Sequence, residues 1–277
     1  MKINLLISSM IYVFLFLSGA SAFASENVDH CEKQDFINRV SAYEHCLVLD
    51  TYQSPNFSSE PTLIVFVHGD YLKNRGGRSL KGMRSVLPKV EQKNVALVAL
   101  TRPGYQNEKE QSSGNHYYYE GDAYRDHTVR AVSHAILKLK DYYEASRLVV
   151  IGHSGGASIL GLGMGIVDGF APDTAILIGG NFYVEEWAEH MNITAWYQGR
   201  GLSAHQHIES IHSKIKILAV TGANDEVALP VYGEKYVDAL QKLGKNASFQ
   251  SITGYGHNDI LRNRDMWNSF NEDIFVP

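Results

Sequence analysis

Uninterrupted apolar runs recur along this chain, separated by turn residues and by stretches of helical periodicity. Thr62–Val67 and Val95–Leu100 are almost wholly apolar, as are Leu148–Ile151, Ala175–Ile178 and Ile215–Val220. Short runs of this kind, rich in β-branched residues and lacking polar alternation, predict strands buried on both faces of a sheet. Cys46–Asp50 reads as a shorter strand and Ala247–Ile252 as the last one. Val129, Val132, Ile136 and Leu139 fall at helical spacing with charges between them, which predicts a helix over 123–143. Val231–Leu243 predicts another, and Ala157–Leu160 opens a third. Pro55 and Pro61 bracket a turn-rich break before the strand at Thr62.

One junction in this pattern carries chemistry. The strand Arg147–Ile151 runs into Gly152-His153-Ser154-Gly155-Gly156, and a helix follows at once. Strand, tight turn and helix with a serine at the apex describe a nucleophile elbow. The glycines permit a strained serine backbone and close neighbours. The turn lifts the hydroxyl above the sheet edge at a helix N-terminus, where N–H groups face outward.

Other strand ends supply further candidates. Thr62–Val67 leads to His68-Gly69-Asp70, a turn placed to offer the Asp70 N–H to a substrate oxygen. Val95–Leu100 leads to Thr101–Tyr105 and then to a polar loop holding His116, Tyr117, Tyr118 and Tyr119. Such loops line the ligand crevice of open sheets, so Tyr105 and Tyr118 are candidate substrate-binding residues. Asn181–Ser213 holds Trp187 and Trp196 among polar residues, and both join that list. Its His205, His207 and His212 lack a carboxylate cluster of familiar metal-binding spacing, so no metal is expected. The strand ending at Val220 leads to Asp225, with Glu226 as its rival for the role of orienting carboxylate. The last strand leads to Gly254, Tyr255, Gly256 and His257, a histidine in the final strand–helix loop.

Before this domain, Lys2, an uncharged apolar run over Leu5–Leu17 that is short for a membrane span, and Ala22-Phe23-Ala24 predict a secretory signal peptide over 1–24, cleaved after Ala24. The mature domain would be 25–277, secreted or periplasmic, without stable membrane association. Both cysteines, Cys31 and Cys46, then lie in an oxidising compartment, which predicts a disulfide between them. The 277 residues are 44% hydrophobic and 20% charged, enough to bury a sizeable core. A net charge of −5 argues against nucleic acid as a partner.

The order Ser154, Asp225, His257 differs from that of the chymotrypsin and subtilisin triads. Together with the elbow and the His-Gly loop, it makes the chain resemble the α/β-hydrolase superfamily over roughly residues 45–270. That resemblance implies a mostly parallel, about eight-stranded sheet with helices on both faces, and a small lid over about 181–213. It also implies Ser154 as nucleophile, His257 as base and Asp225 as orienter, with the N–H groups of Gly155 and Asp70 as oxyanion donors. No metal or organic cofactor is required. The His-Gly-Asp loop departs from the Gly-rich loop of the hormone-sensitive-lipase-like subgroup. A carboxylesterase acting on a small-molecule ester is the leading expectation. A prolyl-peptidase type of peptidase, acting on short peptide-like substrates, is the rival hydrolase. A non-catalytic binding protein that kept the fold is the reading from another class.

Overall fold

The computed structural model describes residues 31–32, 34–70, 77–87, 89–114, 124–193 and 201–276. The expected signal peptide lies outside them. The strands are β1 (Arg39–Ala42), β2 (His45–Gln53), β3 (Thr62–Val67), β4 (Val95–Leu100), β5 (Arg147–His153), β6 (Thr174–Ile178), β7 (Lys216–Gly222) and β8 (Ala247–Ile252). They form one eight-stranded sheet in the order β1-β2-β4-β3-β5-β6-β7-β8. The pairs β1–β2 and β2–β4 are antiparallel, and all pairs from β4 to β8 are parallel.

The apolar runs are split between two cores by the pleat, because successive side chains point to opposite faces. Leu63, Val65 and Val67 enter one core, with Leu148 and Val150. Ile64 and Phe66 enter the other, with Val149 and Ile151. Helices α2 (Asp126–Tyr142), α3 (Gly155–Ile166), α4 (Val184–His190) and α5 (Pro230–Lys242) cover the first face. Helix α1 (Gly77–Val86), with α6 (Arg264–Ser269) and α7 (Asn271–Phe275), covers the second. This mostly parallel sheet with helices on both faces is the expected α/β-hydrolase fold.

Several elements escape the apolar pattern. Strand β1 joins β2 through Tyr43 and Glu44, and Tyr43 takes φ +55°. That region usually calls for Gly, Asn or Asp, so the hairpin carries no turn signal. Trp267 on α6 is wholly buried in the second core, and Asn263 caps that helix by accepting the Met266 N–H at 3.0 Å. Gly161, Gly163 and Gly165 of α3 face away from open space. They admit Ala204, Ser133 with Phe170, and His207, from α2 and the segments beside it.

Cys31 and Cys46 are disulfide-bonded, with Cα atoms 5.0 Å apart. The bond pins the N-terminal segment to β2. Of the expected lid segment, α4 and a 3₁₀ segment at Ala204–Ser210 are described. Val184, Trp187, Ala188 and Ala204 root it in the first core.

The position of the site follows from strand order. The chain runs outward from β3 to β4, then returns to lay β5 on the other side of β3. Ligands of open α/β sheets bind at such a reversal, beyond the carboxyl ends of the strands. Val67 and Gly152 are register partners there, so the loops after β3 and β5 emerge side by side.

Candidate active site

Ser154 stands between β5 and α3 with φ +53° and ψ −124°, a conformation that non-glycine residues rarely hold. Its N–H donates to the Ile178 carbonyl at 2.8 Å, and its carbonyl accepts the Ala157 N–H at 2.9 Å. The flanking glycines are a matter of space. A Cβ at Gly156 would fall 2.2 Å from the Val67 carbonyl oxygen, and one at Gly152 would fall 2.6 Å from the Ala157 backbone.

Two side chains meet this serine from the far end of the sheet. His257 Nε2 lies 2.9 Å from Ser154 Oγ. Its Nδ1 lies 2.8 Å from Oδ2 of Asp225. The Asp225 side chain is wholly buried. Its Oδ1 accepts the N–H groups of Val227 and Ala228 at 2.9 and 2.8 Å. The turn after β7 thus orients the carboxylate before it meets the imidazole. Asp225, and not its neighbour Glu226, is therefore the carboxylate on His257.

The loop after β3 is held by charge. Arg102 is fully buried and pairs through Nη2 with Asp70 Oδ1 at 2.8 Å. Its Nη1 donates to the His68 carbonyl at 3.2 Å, and its own N–H donates to His68 Nε2 at 3.1 Å. Since His68 Nε2 is the acceptor, its proton lies on Nδ1, which donates to the Gly69 carbonyl at 2.7 Å. Tyr124 and Tyr105 donate their hydroxyls to Asp70 at 2.6 and 3.1 Å, and Asn181 Nδ2 donates to the Tyr124 oxygen at 3.2 Å. Burial pushes the Asp70 carboxyl up. The Arg102 charge and the hydrogen bonds from Tyr124, Arg102 and Tyr105 outweigh it, so the carboxyl is held below its ordinary range. Burial, then the Asp70 charge, push the Tyr124 phenol well above its usual value.

Gly155 leaves room for this cluster, since a Cβ there would fall 2.6 Å from Asp70 Oδ2 and 2.9 Å from Arg102 Nη1. The N–H groups of Asp70 and Gly155 donate to no group among the described residues. Gly155 follows Ser154 directly, and the Asp70 loop packs against the same residue, a Cβ at Gly69 falling 2.8 Å from Ser154 Cβ.

The remaining candidates divide. Tyr105 is buried, its ring edge against His68 and its hydroxyl on Asp70. Trp187 is buried against Tyr124, with ring centroids 6.4 Å apart. Both therefore stand behind the Asp70 loop. Tyr118 and Trp196 lie outside the described residues, as does the tyrosine loop around them. His205 stacks on Tyr183 at 4.1 Å. Among the described residues no His, Cys, Asp or Glu cluster is arranged to hold a metal ion.

Sequence reading did not single out Arg102, Tyr124 or Asn181, nor His153 beyond its place in the motif. Arg102 had one available signal, a charged residue directly after a buried strand end. Tyr124 and Asn181 had none, because their partners are distant in the chain.

The profile of the prolyl oligopeptidase family matches residues 116–272, more than half of the chain. The chain belongs to the prolyl oligopeptidase family. It is therefore a serine hydrolase of the α/β-hydrolase superfamily. No curated protein sequence matches it. Solved structures share its fold at low identity. An esterase of Pyrococcus furiosus aligns at 15% identity and TM-score 0.65, over 85% of this chain and 88% of that one. Est1E of Butyrivibrio proteoclasticus, solved with ferulic acid bound, aligns at 15% identity and TM-score 0.62, over 86% and 99%. An acylaminoacyl peptidase of Pyrococcus horikoshii aligns at 15% identity and TM-score 0.63, but only 41% of that longer chain is covered. This member of the prolyl oligopeptidase family thus corresponds to about two fifths of such a peptidase and to nearly the whole of the two esterases.

Proposed function

We propose that this protein is an exported serine carboxylesterase that cleaves small or medium esters through an acyl-enzyme on Ser154. The observation that carries the reading is the continuous chain of contacts from Ser154 Oγ through His257 to the buried Asp225, at 2.9 and 2.8 Å.

In this reading His257 Nε2 removes the Ser154 proton as Oγ attacks the ester carbonyl carbon. Negative charge builds on the carbonyl oxygen. The Gly155 and Asp70 N–H groups stabilise it, and removing one such donor from an enzyme costs about 10²–10³ in rate. His257 then passes its proton to the leaving alkoxide, and the alcohol departs. Water, deprotonated by His257, attacks the acyl-enzyme and frees the acid and Ser154. Asp225 keeps the His257 proton on Nδ1 and stabilises the imidazolium in both halves.

The likeness in fold to two solved esterases, one of them with ferulic acid bound, supports the ester reading. Family membership keeps the rival reading specific: an aminoacyl-amide peptidase. Export is proposed from the apolar N-terminal segment, and the Cys31–Cys46 disulfide supports it.

A panel of p-nitrophenyl acetate, p-nitrophenyl butyrate and aminoacyl-p-nitroanilides decides between the readings. The expected result is ester turnover at least about 10²-fold above amide turnover, a margin of some 2.7 kcal/mol in barrier. Preferential anilide cleavage would instead establish the peptidase. Failure of every substrate, with no fluorophosphonate label on Ser154, refutes the enzyme itself.

A further inference from the structure

We infer that His153 is a positioning residue: wedged between the loops after β3 and β8, it donates to the main-chain carbonyl of His257 and so sets where that ring meets Ser154. The inference rests on the serine-hydrolase reading of Ser154 and His257.

His153 directly precedes the nucleophile and is buried. Its Nε2 lies 2.8 Å from the His257 carbonyl oxygen. The two imidazoles lie 4.9 Å apart between centroids, inclined by 40°. On its other side a Cβ built at Gly69 would fall 3.4 Å from His153 Nδ1 and 3.1 Å from the His153 carbonyl oxygen. His153 therefore lies between both loops that must register with Ser154, with its ring bonded to one and close beside the other. Among the described residues, no other side chain bonds the His257 main chain.

The bond also decides the state of the ring. A carbonyl only accepts, so the proton sits on Nε2 and leaves a lone pair on Nδ1. Nδ1 is buried and has no partner among the described residues. A second proton there would create a buried cation with an unpaired donor. It would stand beside His257, which itself turns cationic in turnover. Burial first, then the positive charge at His257, push the His153 pKa down to about 4, against smaller opposing contributions from the His257 carbonyl, Asp225 and Asp70. The ring thus works as a neutral donor.

A core histidine that merely fills space and a positioning histidine make different demands on a replacement. The first needs volume, the second needs the donor. Gln and Met are close in size, but only the Gln amide nitrogen reaches the carbonyl as a donor. The test is p-nitrophenyl butyrate kinetics and the rate of fluorophosphonate labelling of Ser154 for the wild type, His153→Gln, His153→Met and His153→Phe, with a melting curve for each. The expected result for His153→Met and His153→Phe is a kcat lower by about 10–100-fold, KM within about twofold of wild type, and labelling slowed to match. His153→Gln should recover to within about fivefold of wild type. If Met or Phe fails to melt cooperatively, the other donor-free variant carries the comparison with Gln. Wild-type kcat in a folded donor-free variant overturns the inference, as does a folded Gln variant as impaired as Met. A wild-type protein that neither turns over ester nor takes the label refutes the hydrolase reading, and this inference with it.

Discussion

Ser154 is approached by two loops built on opposite electrostatic plans. The loop after β3 is held by full charges, with the buried Arg102 on Asp70 and two tyrosine hydroxyls completing the carboxylate. The loop after β8 is held without an Arg or Lys ion pair among the described residues: His153 Nε2 donates to the His257 carbonyl, and the carboxylates of Asp225 and Asp259 accept from His257 Nδ1 and, at 2.7 Å, from the Gly256 N–H. The difference matches what each loop does in the proposed reaction. The first presents N–H groups that never change charge, and a permanent ion pair can fix them in advance. The second carries a ring that gains and loses a proton in each half-reaction. A fixed cation beside that ring would oppose its protonation, and a neutral imidazole does not.

The largest expected effect belongs to both sides. Ser154→Ala should lower kcat by about 10⁴-fold or more and abolish fluorophosphonate labelling. On the base side alone, Asp225→Asn should cost about 10³–10⁴ in kcat while leaving the melting curve close to wild type. Glu226→Gln should leave turnover within about twofold of wild type, because the Asp225 side chain is the one on His257. A large loss in the Glu226 variant would reassign the orienting carboxylate.

On the charged side, Arg102→Met should lower kcat by about 10²-fold and lower the melting temperature, since it leaves the part-exposed Asp70 without its cation. Adding Asp70→Asn should restore part of that stability, because the orphaned charge is gone. If the double variant melts below the Arg102 single variant, charge is not what fastens this loop.

The two plans also separate by pH. Folded His153 takes a proton only near pH 4, whereas an unperturbed imidazole takes one near 6.5. Between those values the unfolded state binds more protons, so His153 drains stability as the pH falls from about 6.5 to about 4. The full difference is about 3 kcal/mol. Urea melts across this range should show the loss in the wild type and a flatter profile in His153→Gln. The smallest effect on turnover is expected far from both loops. Replacing Cys31 and Cys46 by Ser should cost about 3 kcal/mol of stability, from a disulfide spanning 15 residues. It should leave kcat/KM unchanged.

Periodicity made the central strands legible because β3 to β7 are buried on both faces, where an uninterrupted apolar run is a strong signal. The position of Ser154 was legible because the elbow is local: strand, glycines, serine and helix are adjacent in the chain. Asp225 and His257 were legible by chain order and by their places at strand ends. Strand β1 was not, since its turn relies on Tyr43 at positive φ. The roles of Arg102, Tyr124 and His153 were not either, because each acts on a partner distant in sequence. Tyr105 and Trp187 read as substrate walls because aromatics in crevice loops invite that reading, yet both side chains are buried behind Asp70.

The sequence by itself determined which segments form the central strands, which serine sits at an elbow, and in what order Asp225 and His257 follow it. Those are local properties of composition, spacing and turn chemistry. Only the tertiary structure decided that Arg102 neutralises Asp70 and that His153 grips the carbonyl of His257, 104 residues away. The physical reason is strand order. Laying β5 beside β3 brings the loops that follow them together around Ser154, and burial there sets the charge that each side chain can carry.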